Sequence, residues 1–451
     1  MKRMFTKLAG ASLLISLLFA GLNGNAQTTL ASADTKSTTT AKDNTPAPAT
    51  AETTAAKPQE DTTWKPQRRV WGYSFGDFYY AGHADAGGRG SETNYSGVPT
   101  YRNAFQFRRI YLGYDYDITK QFKAEFLLAS EPTASTGVNG TTAIQNGDNL
   151  VDNKMAFFIK NINLRYREIW TGTDFVIGEM STPGFALNEP GTNAPTSLSE
   201  TTWGYRSIER TITDFHKNNS YDIGASLQGT FDPATKNFGY VVMVGNNSTS
   251  SLLSAANANT GFYKMFYGDL WGKFFNQHLY IDFYADYLKT APATLALGAQ
   301  DHNMFKVFAA YVSKPITVGV EAYTQKIANG VTDAATKQPA DATVQGISFW
   351  VKGAIVKNLN FFARFDSYNP DTDFTNTDSY TVNTNYGSYN PTVKEKFYTA
   401  GLDFNPTKNV HFMPNIWLDD YSDQRASTTT GYVAPDHTLV YRLTFFFTFG
   451  K

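Results

Sequence analysis

The 451-residue sequence has no cysteine, so disulfides are excluded and the fold must be held by packing and backbone hydrogen bonds. Long apolar runs are also scarce. The longest, Leu8 to Leu22, falls short of the roughly 20 residues that a membrane-spanning helix needs. Charge of one sign is lacking as well, with 39 Lys and Arg against 40 Asp and Glu. That balance argues against a nucleic-acid binder, which needs a strongly basic face. Six histidines, at 83, 216, 278, 302, 411 and 437, show no metal-ligand spacing, and no Gly-x-Ser-x-Gly, His-Glu-x-x-His or phosphate-loop motif occurs. Met is sparse at eight residues, so soft-metal sites have little to build on. These absences predict no cofactor and no enzyme.

What is present begins at the N-terminus. Lys2, Arg3 and Lys7 precede the apolar run and the small-residue triplet Gly24-Asn25-Ala26. This layout predicts a signal peptide over 1–26 for export through the Sec pathway, cut after Ala26. No Cys follows the cut, which excludes a lipid anchor. Losing three basic residues and no acid takes the formal charge from -1 to -4. Residues 27–67 are dominated by Thr, Ala, Pro and Lys between Thr28 and Pro58. Such a composition cannot bury enough apolar surface to offset chain entropy, which predicts a disordered periplasmic tail, either a spacer or a segment touching peptidoglycan or a periplasmic partner.

From Trp71 onward the character changes again. Phe, Tyr and Trp make up 15% of the chain, and residues alternate with period two, as in Leu279-Tyr280-Ile281-Asp282-Phe283-Tyr284-Ala285-Asp286-Tyr287. Soluble strands average about five or six residues, whereas a tilted membrane strand needs about 9 to 11. Sixteen segments, nearly all of the longer kind, read as strands: 70–81, 104–116, 121–130, 155–168, 173–180, 220–230, 237–246, 261–274, 278–289, 303–312, 315–327, 343–356, 359–368, 395–404, 409–418 and 438–449. Short links rich in Asn, Asp, Pro and Gly, such as Asp232-Pro233-Ala234-Thr235-Lys236, alternate strictly with long ones at 82–103, 131–154, 181–219, 247–260, 290–302, 328–342, 369–394 and 419–437. The pattern predicts an all-β, transmembrane antiparallel β-barrel over 68–451, with short periplasmic turns and long extracellular loops, set in outer-membrane lipid.

The face opposite the apolar one carries the predicted pore-lining charges. Its basic members are Lys123, Arg165, Arg167, Lys273, Lys306, Lys352, Arg364 and Arg442, and its acidic members are Glu125, Asp174, Asp222, Asp269, Asp282, Asp286, Glu321, Asp366 and Asp419. Eight against nine is balanced and predicts weak ion selectivity. Arg108 and Arg109 are adjacent, so strict alternation turns only one inward. Tyr and Trp near strand ends, including Trp71, Tyr80, Tyr111, Trp271, Tyr287, Trp350 and Trp417, suit interfacial girdles. Alternation also sends Trp271, Tyr280, Tyr284, Trp350, Phe362, Tyr368 and Trp417 inward, where they would fill a narrow wall or offer a sliding surface to sugars. The last strand places Leu439, Tyr441, Leu443, Phe445, Phe447 and Phe449 on one face, and such a terminal segment resembles what bacterial barrels present to their assembly machinery.

Three segments carry a family resemblance: Phe105-Gln106-Phe107-Arg108-Arg109-Ile110-Tyr111-Leu112-Gly113, Ile177-Gly178-Glu179-Met180-Ser181-Thr182-Pro183-Gly184-Phe185 and Ser207-Ile208-Glu209-Arg210-Thr211. In order and spacing they resemble the phosphate-selective porin O/P family of Gram-negative outer membranes. The resemblance implies a sixteen-stranded barrel, often a homotrimer, whose third external loop folds inward. Here that loop is 181–219, with Arg206, Glu209, Arg210, His216 and Lys217 expected nearest the constriction. The balanced wall gives no basis for carrying over phosphate specificity. The expected function is passive diffusion of small hydrophilic solutes or ions through a water-filled barrel. The alternatives are a channel selective for anions such as phosphate or for sugars, and, from other classes, a barrel enzyme or a plugged structural or adhesion barrel.

Overall fold

The computed structural model describes residues 64–86, 98–131, 157–184, 198–208, 210–216, 220–247, 263–290, 298–333, 336–374, 380–382, 392–424, 433–434 and 436–450. The expected signal peptide, nearly all of the expected tail, and Glu209 and Lys217 lie outside the described residues. The barrel belongs to the unit Thr62–Lys451.

Its first eight strands are β1 (Arg68–His83), β2 (Asn103–Asp117), β3 (Phe122–Ser130), β4 (Phe158–Trp170), β5 (Thr173–Ser181), β6 (Tyr221–Thr230), β7 (Phe238–Gly245) and β8 (Met265–Phe274). The rest are β9 (Leu279–Leu288), β10 (His302–Val312), β11 (Ile316–Asp333), β12 (Pro339–Val356), β13 (Leu359–Asn369), β14 (Tyr380–Val382), β15 (Val393–Thr407), β16 (Val410–Asp423) and β17 (His437–Gly450). All pair antiparallel in one 17-stranded sheet. With the three-residue β14 set aside, sixteen strands follow one another in chain order, and β17 returns to pair with β1 from Trp71↔Gly450 to His83↔Leu439. Closure leaves no unpaired edge among the sixteen described wall strands, as a sheet surrounded by hydrocarbon requires.

Alternation explains why these residues form this wall. In β10, His302, Met304, Lys306, Phe308 and Ala310 are buried toward the interior, while Phe305 and Val307 face outward. Outward positions elsewhere are also large and apolar, among them Leu270, Phe283, Ile347, Phe349, Leu443 and Phe447, all exposed. On a soluble protein so broad an apolar surface would be a liability; against lipid it is the solvated face. The two-residue turn Lys357-Asn358 between β12 and β13 has φ 64° at Asn358, the left-handed conformation that Asn tolerates well.

Two departures from strict alternation matter. Phe75 pairs with Arg109 and Gly76 with Phe107, so Arg108 is an extra residue in β2. Likewise Leu127 pairs with Asn161 and Leu128 with Ile159, leaving Lys160 extra in β4. Each bulge puts two successive side chains on the same side. Arg108 and Arg109 are therefore both buried, and so are Lys160 and Asn161. The link expected as a long loop over 328–342 is mostly strand, since β11 runs to Asp333 and β12 starts at Pro339, where a missing N–H at a strand's first position does little harm. β14, within the expected loop 369–394, pairs with the tip of β11 at Val331, Thr332 and Asp333.

Several inward aromatics face glycines across the wall. Trp71 pairs with Gly113, Trp271 with Gly239, Trp350 with Gly319 and Phe362 with Gly401. A methyl at Gly113 would stand 2.1 Å from Trp71 Cε2, so the ring lies flat over a position that only hydrogen can occupy. The girdle expectation is thereby corrected for Trp71, Tyr111, Trp350 and Trp417, which are buried inside, whereas Tyr80 and Tyr287 are exposed on the outside.

Candidate permeation site inside the barrel

Between β5 and β6, the described residues 198–208 and 210–216 lie in the interior. They include two short helices, α1 (Leu198–Trp203) and α2 (Ile212–His216). Leu198, Trp203, Ile208 and Ile212 are buried. Trp203 meets Trp350 and Phe362 edge-on, with ring centroids 5.7 and 5.9 Å apart. Apolar contact drives the segment inward, but its backbone carbonyls then lose water and need donors.

The wall's cations supply them. Arg108 donates to the carbonyls of Arg206 and Ser207, and Arg442 to that of Ser207. Arg364 donates to the carbonyl of Arg210, and Lys352 to that of Trp203 at 2.9 Å. Lys306, fully buried, donates to the Gly184 carbonyl at 3.0 Å. Wall acids take the complementary part. Asp282 Oδ2 accepts from the Leu198 amide at 2.8 Å, and Glu321 accepts from the Thr213 hydroxyl. Charged donors and acceptors make these bonds stronger than neutral ones.

Most of the same cations also have carboxylate partners. Asp77, fully buried on β1, lies 2.7 Å from Arg108 Nε and 3.6 Å from Arg442 Nη1 as an ion pair and accepts from Thr444 Oγ1 at 2.6 Å. Arg442 also lies 3.5 Å above the Trp417 ring. Arg364 is paired with Asp366. On the β3–β4 side, Lys123 lies 3.3 Å from Asp115 and 2.9 Å from Glu125, while Arg165 joins Glu125 at 3.2 Å and Asp174 at 3.1 Å. Arg167 is paired with Asp117. Glu131, just past β3, meets Lys160 and lies 3.7 Å from Arg109. Burial acts to raise its carboxyl, but Arg109 and Lys160 outweigh that and hold it well below the usual carboxylate range.

The distribution is uneven around the wall. From β6 to β11 the expected acids Asp222, Asp269, Asp282, Asp286 and Glu321 are all buried inward. The buried basic groups beside them are Lys306, 3.9 Å from Glu321, and His302, 3.7 Å from Asp286. Tyr267 and Tyr284 donate to Asp222 and Asp286 at 2.7 and 2.5 Å. Asp419 is buried and accepts from Tyr421 at 2.9 Å. Lys273 is half-buried over the rings of Trp271 and Tyr280.

Every charge expected on the inward face is thus buried or half-buried there. Of the residues expected at the constriction, Arg206 is buried against the Tyr73 and Phe446 rings, and Arg210 lies 3.7 Å from Asp214 within the loop. His216 stacks on Tyr368 with centroids 3.5 Å apart. Burial first and the Arg364 charge second push its imidazole down to about 3. Alternation missed Lys160 and the second arginine of the Arg108-Arg109 pair because bulges break the period. Asp77 is in phase with Trp71, Tyr73, Phe75 and Tyr79, but β1 carries aromatics on both faces, which hides that phase.

In structure the chain is similar to an anion-selective porin from Comamonas acidovorans, at TM-score 0.52 and 12% identity over 85% of this chain and 100% of that one. It is similar to the outer membrane channel DcaP of Acinetobacter baumannii, at TM-score 0.51 and 12% identity over 85% and 97%. It is also similar to Salmonella typhi OmpF in complex with daunomycin, at TM-score 0.50 and 10% identity over 85% and 97%. No family model matches the chain, and no curated protein matches it in sequence. What these proteins share with this chain is the closed antiparallel barrel of outer-membrane porins.

Proposed function

We propose that this chain is an outer-membrane porin through which small hydrophilic solutes and ions diffuse passively, with the inward segment around 198–216 as its constriction. One observation carries the reading: a closed barrel whose outside is apolar and whose inside holds the charged residues of both signs, with a loop anchored among them. Apolar solutes gain nothing in such an interior, whereas dipolar and ionic ones are stabilised by it. The acids of β6–β11 face an opposite arc where cations and carboxylates are paired, so the field across the lumen is lopsided but its net sign is modest. Weak ion selectivity is the expected result.

Export through the Sec pathway, handover of the aromatic β17 to the barrel assembly machinery and assembly as a homotrimer complete the proposal. The resemblance to the phosphate-selective porin O/P family supports a sixteen-stranded barrel with an inward third loop. The Comamonas neighbour is described as anion-selective, and anion selectivity is the alternative for this chain. Purified protein inserted in a planar bilayer between unequal KCl solutions is expected to open stepwise with a reversal potential near zero. A silent, folded barrel would replace the channel with a plugged one. A large anion-sided potential with phosphate blocking chloride current would replace weak selectivity with the anion-specific reading.

A further inference from the structure

The closing seam of the barrel carries a cluster that permeation does not use. β1 ends at His83 and β17 begins at His437, and antiparallel pairing brings these ends together at the rim that bears the long links. The register shifts between Ala81 and His83, which pair with Val440 and Leu439, so Gly82 is left over and His83 is re-aimed. His83 Nε2 then lies 2.6 Å from Asp436 Oδ2, and His437 Nδ1 lies 2.8 Å from Asp436 Oδ1. The two imidazoles stack with centroids 4.2 Å apart. One ligand atom from each residue falls within 4.8 Å of the others.

This donor set is chemically selective. Two imidazole nitrogens and one carboxylate oxygen suit zinc, copper(II) or nickel, whereas calcium and magnesium demand oxygen. We propose that His83, Asp436 and His437 hold a divalent transition-metal ion of the zinc class at the barrel rim. Tetrahedral ligands about 2.1 Å from a metal stand roughly 3.4 Å apart. The two imidazoles meet different oxygens of Asp436, and with all three ligand atoms within 4.8 Å of one another a modest side-chain rotation brings them to that spacing around one ion. The residue is already held, because the Asp436 amide donates to the buried Asp85 at 3.1 Å and the Asp436 carboxylate accepts from the His437 amide at 2.8 Å. The three side chains are 36% to 40% exposed, so the ion enters from solvent and keeps open positions for water. A metal held this way ties the first strand to the last.

The test uses the untagged full-length barrel in detergent micelles, stripped of metal and titrated calorimetrically with Zn²⁺ alone. Binding of one equivalent is expected, at least tenfold weaker in His83→Ala and in His437→Ala and unchanged in His278→Ala at the opposite end of the barrel. Heat-modifiable migration on gels checks that each variant has closed. Zn²⁺ is also expected to raise the melting temperature of the native protein and not that of His83→Ala. Absence of saturable binding, equal binding in the closed rim variants, or displacement of Zn²⁺ by equimolar Ca²⁺ or Mg²⁺ would each overturn the site.

Discussion

Asp77 illustrates how much one side chain can coordinate in this interior. It is ion-paired with guanidinium nitrogens of Arg108 and Arg442, and both arginines reach on to carbonyls of the inward loop. Removing one partner of a buried ion pair leaves an uncompensated charge and typically costs about 3 to 5 kcal/mol. Asp77→Asn is therefore expected to destabilise the protein by that order in urea titrations of the barrel in lipid, while an unchanged midpoint would mean that the arginines find other partners. His216 supplies a pH dependence of definite sign. Its folded pKa, about 3, lies below the ordinary value near 6.5. The unfolded or undocked chain thus binds the proton more readily, so the contribution is complete above pH 6.5 and is lost as pH falls toward 3. Protection of the loop against acid-active protease should decline over that window, and His216→Phe, which keeps the stacking on Tyr368 without titrating, should remove that part of the decline.

Among the elements, the strands were legible from their period, whereas the inward course of the third loop was expected only from the family resemblance. Segment 104–116 is observed as Asn103–Asp117 and 359–368 as Leu359–Asn369, because period two survives wherever one face meets lipid. The same rule failed locally at Arg108 and Lys160, since a bulge is a property of two strands and leaves no mark in either one alone. The inward course of 198–216 follows from donors scattered over β2, β12, β13 and β17, which no local window in the sequence brings together. The wall's cations were readable as inward charges, but not as anchors for a backbone. Their anchoring role predicts that Lys352→Met with Arg364→Met weakens docking by about 1.5 to 3 kcal/mol for each charged hydrogen bond removed. Single-channel conductance should rise and the loop should become cleavable, with the barrel still migrating as a closed species; an unaltered conductance would mean that the loop does not limit flow.

For the molecule as a whole, the decisive pairing joins residues near the two ends of the barrel sequence, Trp71 with Gly450 through His83 with Leu439. A chain shortened before His437 loses β17 and exposes the facing edges of β1 and β16, each a row of unsatisfied amides in hydrocarbon. Such a truncation is expected to yield no heat-modifiable species and no channels, whereas removal of 27–63 should leave both intact. The length of the wall was predictable from strand number and span, but its uneven interior, with carboxylates gathered on β6–β11, depended on how consecutive hairpins lie side by side. Circular closure also fixes an order of events. No intermediate with fewer strands can shelter all its amides, so a nascent chain must be kept from sticking to its neighbours until its last fourteen-residue strand arrives. The time before that arrival, rather than the finished wall, is when this protein is most vulnerable to aggregation.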